Sequence, residues 1–257
     1  MIENNEVINF LQLQGYKYLH FSSGWGSTRH NKFADLNISS EKVDEFQRML
    51  IQTTMLSAIQ GPIGHDLRKS RMYIYSKLGE VYKIKGPKFV FSHIIAPHPP
   101  YLFGKNGEPV PGASLAINGD LFRKKEDLLN QLIFTNKQIE RIIDEILNKS
   151  KIPPIIILQA DHGTASTFPL DMFFWGVGLG GSPTGNMLRE RFGILNAYYL
   201  PSGGNEFLYD SITPVNTFRL VFDYYFNTNC GLLEDRSYYS IYDRPYEFIN
   251  VTDSLKY

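Results

Sequence analysis

The sequence predicts an α/β fold with a mostly parallel central sheet and helices on both of its faces. Three observations carry this reading. Short β-rich runs alternate with long amphipathic segments, the run Ile155-Ile156-Ile157-Leu158 is apolar at every position, and Gly or Pro punctuates the boundaries. At 257 residues, 43% of them hydrophobic, the chain can bury a sizeable core. No internal repeat, low-complexity tract or interdomain linker divides it, so residues 1–257 read as a single domain.

Val7-Ile8-Asn9-Phe10-Leu11 reads as a short helix closed by Gly15, and residues 16–21 then read as a strand. Residues 22–40 form a polar loop. Ser40 caps a helix over residues 41–59, on which Val43, Phe46, Met49, Leu50 and Thr53 recur at helical spacing, and Gly61-Pro62 stops it. Residues 88–95 are a β-rich run ended by Pro97, with Pro99-Pro100 forcing extended chain beyond. A loop over residues 104–119, rich in Gly, Pro and Asn, leads into a helix over about residues 123–148. Leu128, Leu132, Ile139, Ile142, Ile143 and Ile146 share one face of it, a stripe that should lie on a sheet.

Pro153-Pro154 introduces residues 155–158, a continuous apolar run of the kind found in a central parallel strand buried on both faces. Asp161-His162-Gly163 is its C-terminal turn. After a glycine-rich stretch over residues 176–185, residues 192–200 read as a strand and residues 214–226 as a helix with Pro in its first turn. The remaining tail is aromatic and irregular. In an open sheet of this kind ligands are expected outside the carboxyl ends of the strands, and His20, His98 and Asp161-His162 all fall there.

Lys+Arg and Asp+Glu are both 26, so no global field draws the protein to nucleic acid or to an anionic membrane, and any bound anion must be held locally. No apolar run approaches the ~20 residues a membrane helix needs, and Met1-Ile2-Glu3-Asn4-Asn5 lacks the basic and apolar regions of a signal peptide. Cys230 is the only cysteine, which excludes an internal disulfide and a cysteine-rich zinc site and reads as a packing residue.

Asp161 and His162 leave their strand together, offering a hard oxygen and an imidazole nitrogen to a divalent cation, with Gly163 allowing a tight turn. The plain structural alternative, in which Asp161 caps the next segment and His162 packs, stays open on these residues alone. His98 sits in the stiff string Ala96-Pro97-His98-Pro99-Pro100-Tyr101, where an imidazole can hydrogen-bond an ester oxygen or simply occupy a surface loop. His93, inside the β-rich run, reads as a satisfied core histidine. His20 and the loop through Trp25, Arg29 and Asn31 gather an indole, a guanidinium and an amide suited to an anion and an attached polyol or sugar. Gly180-Gly181-Ser182-Pro183-Thr184-Gly185 is not a nucleophile elbow, and no phosphate-cradling lysine loop or dinucleotide fingerprint is present. Asn37, Asn148 and Asn250 lie in glycosylation-type sequons that carry little weight without a signal peptide.

The order of these pieces resembles the sulfatase-like branch of the alkaline phosphatase superfamily, near lipoteichoic acid synthases and phosphoglycerol transferases. The likeness covers roughly the first two thirds of the chain. It runs from the strand ending in His20, through the Trp25 loop and the strand ending in His98-Pro99-Pro100-Tyr101, across a long helix, to Asp161-His162-Gly163. The resemblance implies that Asp161 and His162 ligate one divalent ion (Mn, Mg, Ca or Zn). It further implies that His98 contacts the transferred group, and that His20 and Trp25, with Arg29 or Asn31, contact the substrate head group. The implied substrate is a sulfate or phosphate ester, on a glycan or a glycerophosphate. Relatives of this kind are often membrane-anchored with an extracytoplasmic catalytic domain.

Family members place a nucleophilic Thr, Ser or formylglycine before the counterpart of the strand over residues 16–21. Here fifteen residues precede it, none of them Thr, Ser or Cys, so the resemblance implies the C-terminal portion of a catalytic domain, N-terminally incomplete. Thr53-Thr54 and Ser22-Ser23 are the nearest hydroxyls, read as helix packing and loop structure respectively. Three functional expectations follow: a metal-dependent hydrolase or transferase of sulfate or phosphate esters; a non-catalytic anion- or glycan-binding module on the same fold; or an α/β domain whose histidines are all structural.

Overall fold

The computed structural model describes residues 3–40, 45–55, 63–111, 125–168, 183–241 and 244–256. The fold is mixed α/β, and the chain divides into two compact units, Met1–Lys151 and Ile152–Tyr257. No helix among the described residues is long and apolar enough to cross a membrane.

The first unit is built on a three-stranded parallel sheet. Helix α1 (Glu6–Leu13) starts where Asn5 Oδ1 accepts a hydrogen bond from the Ile8 amide at 3.0 Å, buries Ile8 and Leu11, and ends ahead of Gly15, whose φ of +83° reverses the chain. Strand β1 (Lys17–Phe21) lies between β2 (Leu36–Ile38) and β3 (Lys88–Ser92), parallel to both, with His20 opposite Asn37 on one side and Phe91 on the other. Tyr18, Leu19, His20 and Phe21 are all buried. The strand covered on both faces is therefore this one, and β2 is a strand inside a segment expected to be loop.

Two helices cover the core of this unit. The segment Ile63–Gly79, for which the sequence reading assigned no element, is helix α3; Leu67, Ile74, Tyr75 and Leu78 recur along it at helical spacing and join the core. Helix α4 (Lys125–Lys149) matches the predicted long helix. Its Ile142 is buried with Tyr75, Leu102, Phe103 and Phe134, while Ile146 packs against the cluster formed by Phe21, Ile74 and Val81. Phe103 and Phe134 stack at 4.6 Å, and a Cβ on Gly107 (φ +89°) would stand 2.6 Å from the Phe134 ring, so that turn admits only glycine.

Between β2 and α3, helix α2 (Glu45–Gln52) is the described part of the helix expected over residues 41–59. Residues 41–44, with Val43, and the predicted Gly61-Pro62 stop lie outside the described residues. Phe46 and Leu50, two of the residues that recur at helical spacing, are exposed. Thr53 and Thr54 are exposed too, their hydroxyls donating back to the carbonyls of Leu50 and Ile51.

The second unit corrects three expectations. Strand β4 (Ile156–Gln159) is not a central parallel strand. It pairs antiparallel with β5 (Asn196–Tyr199), Ile157 opposite Tyr198, and its apolar residues are half-buried. The tail is not irregular: β6 (Tyr238–Ile241) and β7 (Arg244–Asn250) form an antiparallel hairpin, favoured by aromatic and β-branched residues. Helix α5 (Gly185–Phe192) is capped by the Thr184 hydroxyl and buries Leu188. Helix α6 (Pro214–Phe226) has the predicted bounds, with Pro214 in its first turn and Leu220, Val221 and Phe222 buried. Cys230 is exposed rather than packed; its amide donates to Asp223 Oδ1 at 2.7 Å.

Candidate functional site: the Asp161-His162-Gly163 turn

Leaving β4, the Ala160 amide donates to the Leu195 carbonyl at 2.8 Å, keeping the chain paired up to Asp161. Asp161 Oδ1 then accepts from the His162 amide at 3.0 Å, a local bond that folds the carboxylate over its neighbour. Its other oxygen, Oδ2, lies 3.5 Å from His162 Nε2, with the Asp161 side chain 76% and the His162 side chain 42% exposed. The turn thus presents an oxygen and a nitrogen to solvent at adjacent positions.

What holds the turn is the last part of α5. The Gly163 amide donates to the Arg191 carbonyl at 2.7 Å, and Arg191 Nη1 donates to the Gly163 carbonyl at 3.0 Å. Arg191 Nη1 also lies 2.8 Å from His162 Nδ1, which is itself 2.9 Å from the Gly163 carbonyl. These distances admit two tautomers. With the proton on Nδ1, His162 would donate to the Gly163 carbonyl and leave the Nε2 lone pair for a metal, but Arg191 can only donate, so this tautomer requires its guanidinium to turn away from Nδ1. With the proton on Nε2, Arg191 donates to Nδ1 and the ring N–H faces the Asp161 carboxylate at 3.5 Å. Burial pushes the Arg191 guanidinium down, and the nearby Asp161 charge opposes that shift.

Glu190 fixes the chain beyond the turn. Its carboxylate accepts from the hydroxyls of Thr164 and Thr167 and from the amides of Ser166 (2.7 Å) and Thr167 (3.2 Å). Burial raises its pKa, but the bonds from Thr164, Thr167 and Ser166 outweigh it and hold the carboxyl at about 2. Neither Glu190 nor Arg191 was singled out by sequence reasoning, because α5 itself was not recognised; the charged string Arg189-Glu190-Arg191 was the available signal.

The residues fit part of a metal site. A structural zinc takes four ligands, whereas magnesium-type ions commonly use one or two carboxylates and fill the rest of an oxygen shell with water and substrate oxygens. Asp161 and His162 supply two donors, and no group of three or more His, Cys, Asp or Glu gathers among the described residues.

The other predicted site residues belong to the first unit. His20 is fully buried; Nδ1 lies 3.0 Å from the Tyr18 hydroxyl and Nε2 2.9 Å from the Thr28 carbonyl. Burial lowers its pKa, with His30 and His93 nearby adding to the effect against the raising bond to Thr28. Asn31 is equally buried: its amide donates to the Glu3 carbonyl and the Tyr18 hydroxyl, and its Oδ1 accepts from the Phe33 amide. Tyr18 thus bridges His20 and Asn31 inside the core, its phenol pushed up to about 12 by burial. Trp25 is 46% exposed on a 3-10 turn whose hydrogen bonds come from Ser23 and Thr28, and Arg29 is half-buried.

His98 is half-buried on the loop beyond β3, where the Ala96-Pro97 and Pro99-Pro100 peptide bonds are cis and Nδ1 lies 2.6 Å from the Pro99 carbonyl. The loop is held by the fully buried Gln131 of α4, which donates to the carbonyls of Pro97 and His98 and accepts from the Leu102 amide at 2.7 Å. His93, expected in the core, is half-buried and 2.7 Å from the Thr28 hydroxyl. Asp161 and His162 are the two predicted site residues brought side by side, and His20 and Asn31 share one buried network. Compared with known proteins, the chain matches no family model, no curated protein and no solved structure.

Proposed function

We propose that the Asp161-His162 turn binds a divalent cation and that the protein acts on a phosphate or sulfate ester, as a hydrolase or a transferase, on an α/β scaffold of the alkaline phosphatase and sulfatase kind. The observation that carries this reading is the solvent-facing 3.5 Å pairing of Asp161 Oδ2 with His162 Nε2. A bound Mg, Mn, Ca or Zn ion would neutralise ester charge and polarise the reacting centre. Arg191 supports an anionic substrate, since its guanidinium places a positive charge beside the pair. In the first unit, Trp25, Arg29 and His98 keep surface for a ligand, whereas His20 and Asn31 use their polar atoms within the protein.

A second reading, a binding or regulatory module for phosphorylated or sulfated groups without turnover, is favoured by one observation. The hydroxyls that follow the turn, Thr164 and Thr167, both donate to Glu190. A carboxyl with a pKa of about 2 is too weak a base to activate either one near neutrality.

The test is metal content and calorimetric metal binding of the purified chain against Asp161→Ala and His162→Ala, with turnover of an aryl phosphate and an aryl sulfate measured in parallel. Binding lost in both variants supports the metal pair, and unchanged binding in both sinks it. Multiple turnover by the pure protein selects the enzyme; metal binding without turnover selects the module.

A further inference from the structure

Thr28 is held from two neighbouring strands. Its carbonyl lies 2.9 Å from Nε2 of His20 on β1, and its hydroxyl lies 2.7 Å from Nδ1 of His93, just beyond β3. The same residue gathers the loop that carries Trp25: the Ser23 amide donates to the Thr28 carbonyl at 3.1 Å, and the Ser23 hydroxyl lies 2.7 Å from the Thr28 hydroxyl. We propose that His20 is an acid-sensitive latch: protonation of its buried ring opens the loop over residues 23–29. The latch lies wholly in the first unit and does not involve the Asp161-His162 turn.

The hydrogen bonds fix where the protons are. A carbonyl only accepts, so His20 Nε2 carries the hydrogen it gives to Thr28, and Nδ1 accepts from the Tyr18 hydroxyl at 3.0 Å. The Tyr18 oxygen in turn accepts from Asn31 Nδ2 at 3.3 Å. Both nitrogens of the neutral ring are therefore satisfied. A second proton has only Nδ1 to occupy, where it meets the phenol hydrogen. The Tyr18 oxygen can accept it only by turning that hydrogen away from the ring, which costs a buried donor its partner.

The surroundings act in the same direction. Tyr18 precedes the ring on β1, Phe91 of β3 stacks on it at 5.8 Å, and Asn37 is its register partner on β2. The Asp35 carboxylate, ahead of β2, accepts from the Tyr18 amide at 2.7 Å. Burial disfavours the charged ring, His30 and His93 add to that, and the Thr28 bond opposes it. Strand β1 is paired on both sides, and Asn31 is tied to Asn37 by two bonds of 2.9 Å, so neither end can move. Between them, Trp25, Gly26 and Ser27 are exposed, and this is the part that can swing out and admit water to a charged ring. The open loop returns the ring to its ordinary 6.5, while the closed loop holds it lower. The closed state is therefore fully favoured above pH 6.5, and below it the ratio of open to closed rises by up to about tenfold per pH unit.

Trp25 and Trp175 are the two tryptophans, so the full chain labelled with 5-fluorotryptophan gives a local probe by fluorine NMR, the Trp25 resonance being the one lost in Trp25→Phe. Circular dichroism follows the global fold over the same acid titration. The Trp25 resonance is expected to shift with a midpoint below pH 6.5 while the dichroism holds. The shift disappears in His20→Gln. It survives in His93→Gln, with its midpoint moved to higher pH because one like charge and one tie to Thr28 are gone. Should His20→Gln not fold, the His20 ring proton, recognised by its contact with the stacked Phe91 ring, is titrated in the parent chain. A midpoint shared with Trp25 supports the latch, and separate midpoints overturn it. A Trp25 resonance that stays fixed until the whole chain unfolds overturns the proposal, as does a shift that persists in His20→Gln or vanishes in His93→Gln.

Discussion

The backbone carbonyl of Glu190 occupies the space that a side chain on Gly163 would need: a Cβ there would stand 2.0 Å from that oxygen and 2.8 Å from the carbonyl of Gly193. Both obstacles are backbone, so neither can swing aside. Gly163→Ala must therefore push the Asp161-His162 turn away from α5, breaking the Gly163 amide bond to the Arg191 carbonyl. A loss of about 2–4 kcal/mol in stability is expected by chemical denaturation. Metal affinity, on the proposed reading, falls with it. An alanine variant as stable as the parent would show that the turn is not clamped in this way.

Glu190 makes the same clamp sensitive to acid. Its folded pKa of about 2 lies below the ordinary 4.5, so the folded state holds the carboxylate while the unfolded chain is already taking up a proton. The stabilisation is fully present above about pH 4.5 and is lost as pH falls toward 2. Glu190→Gln should cost about 1–2 kcal/mol at pH 7, a figure kept low because the group is only partly buried, and should flatten the stability profile between pH 4.5 and 2. An unchanged profile would assign that acid sensitivity elsewhere.

The Pro97–Tyr101 region depends on one buried amide. Gln131 Oε1 accepts from the Leu102 amide, and Nε2 donates to the carbonyls of Pro97 and His98. Gln131→Leu fills the space and leaves one donor and two acceptors without their partner. The expected destabilisation is about 2–4 kcal/mol, with faster hydrogen exchange of the Leu102 amide as the local signature. Unaltered exchange at Leu102 would count against a role in holding the His98 loop.

How much of this was legible in the sequence depended on whether the signal was local. Helix α6 was read to the residue, because Pro214 marks its first turn. Strand β1 was found too, but its centrality was given to residues 155–158. A four-residue apolar run cannot distinguish a central parallel strand from one strand of a half-buried ribbon, whereas His20 disguised β1, whose buried imidazole is satisfied by Tyr18 and Thr28. The proposed metal pair could be read because its two residues are adjacent. Glu190, Arg191 and Gln131 were not, since each acts on a segment about thirty positions away in the chain. Their partners become known only once the helices are placed.

The buried histidine gives the last test, in the first unit. Burial lowers the His20 pKa below its ordinary 6.5, so the folded state favours the neutral ring and the unfolded chain binds the extra proton near and below that value. Stability from this group is complete above pH 6.5 and declines as pH falls below it, opposite to what a histidine paired with a carboxylate would give. His20→Gln keeps a polar side chain that can still reach one of the two partners. It should lower stability by about 1–3 kcal/mol at pH 7.5 and remove the decline below pH 6.5. Because His30 and His93 also act on this ring, the same scan on His93→Gln separates their contribution. A decline that persists undiminished in His20→Gln would mean that another group carries it.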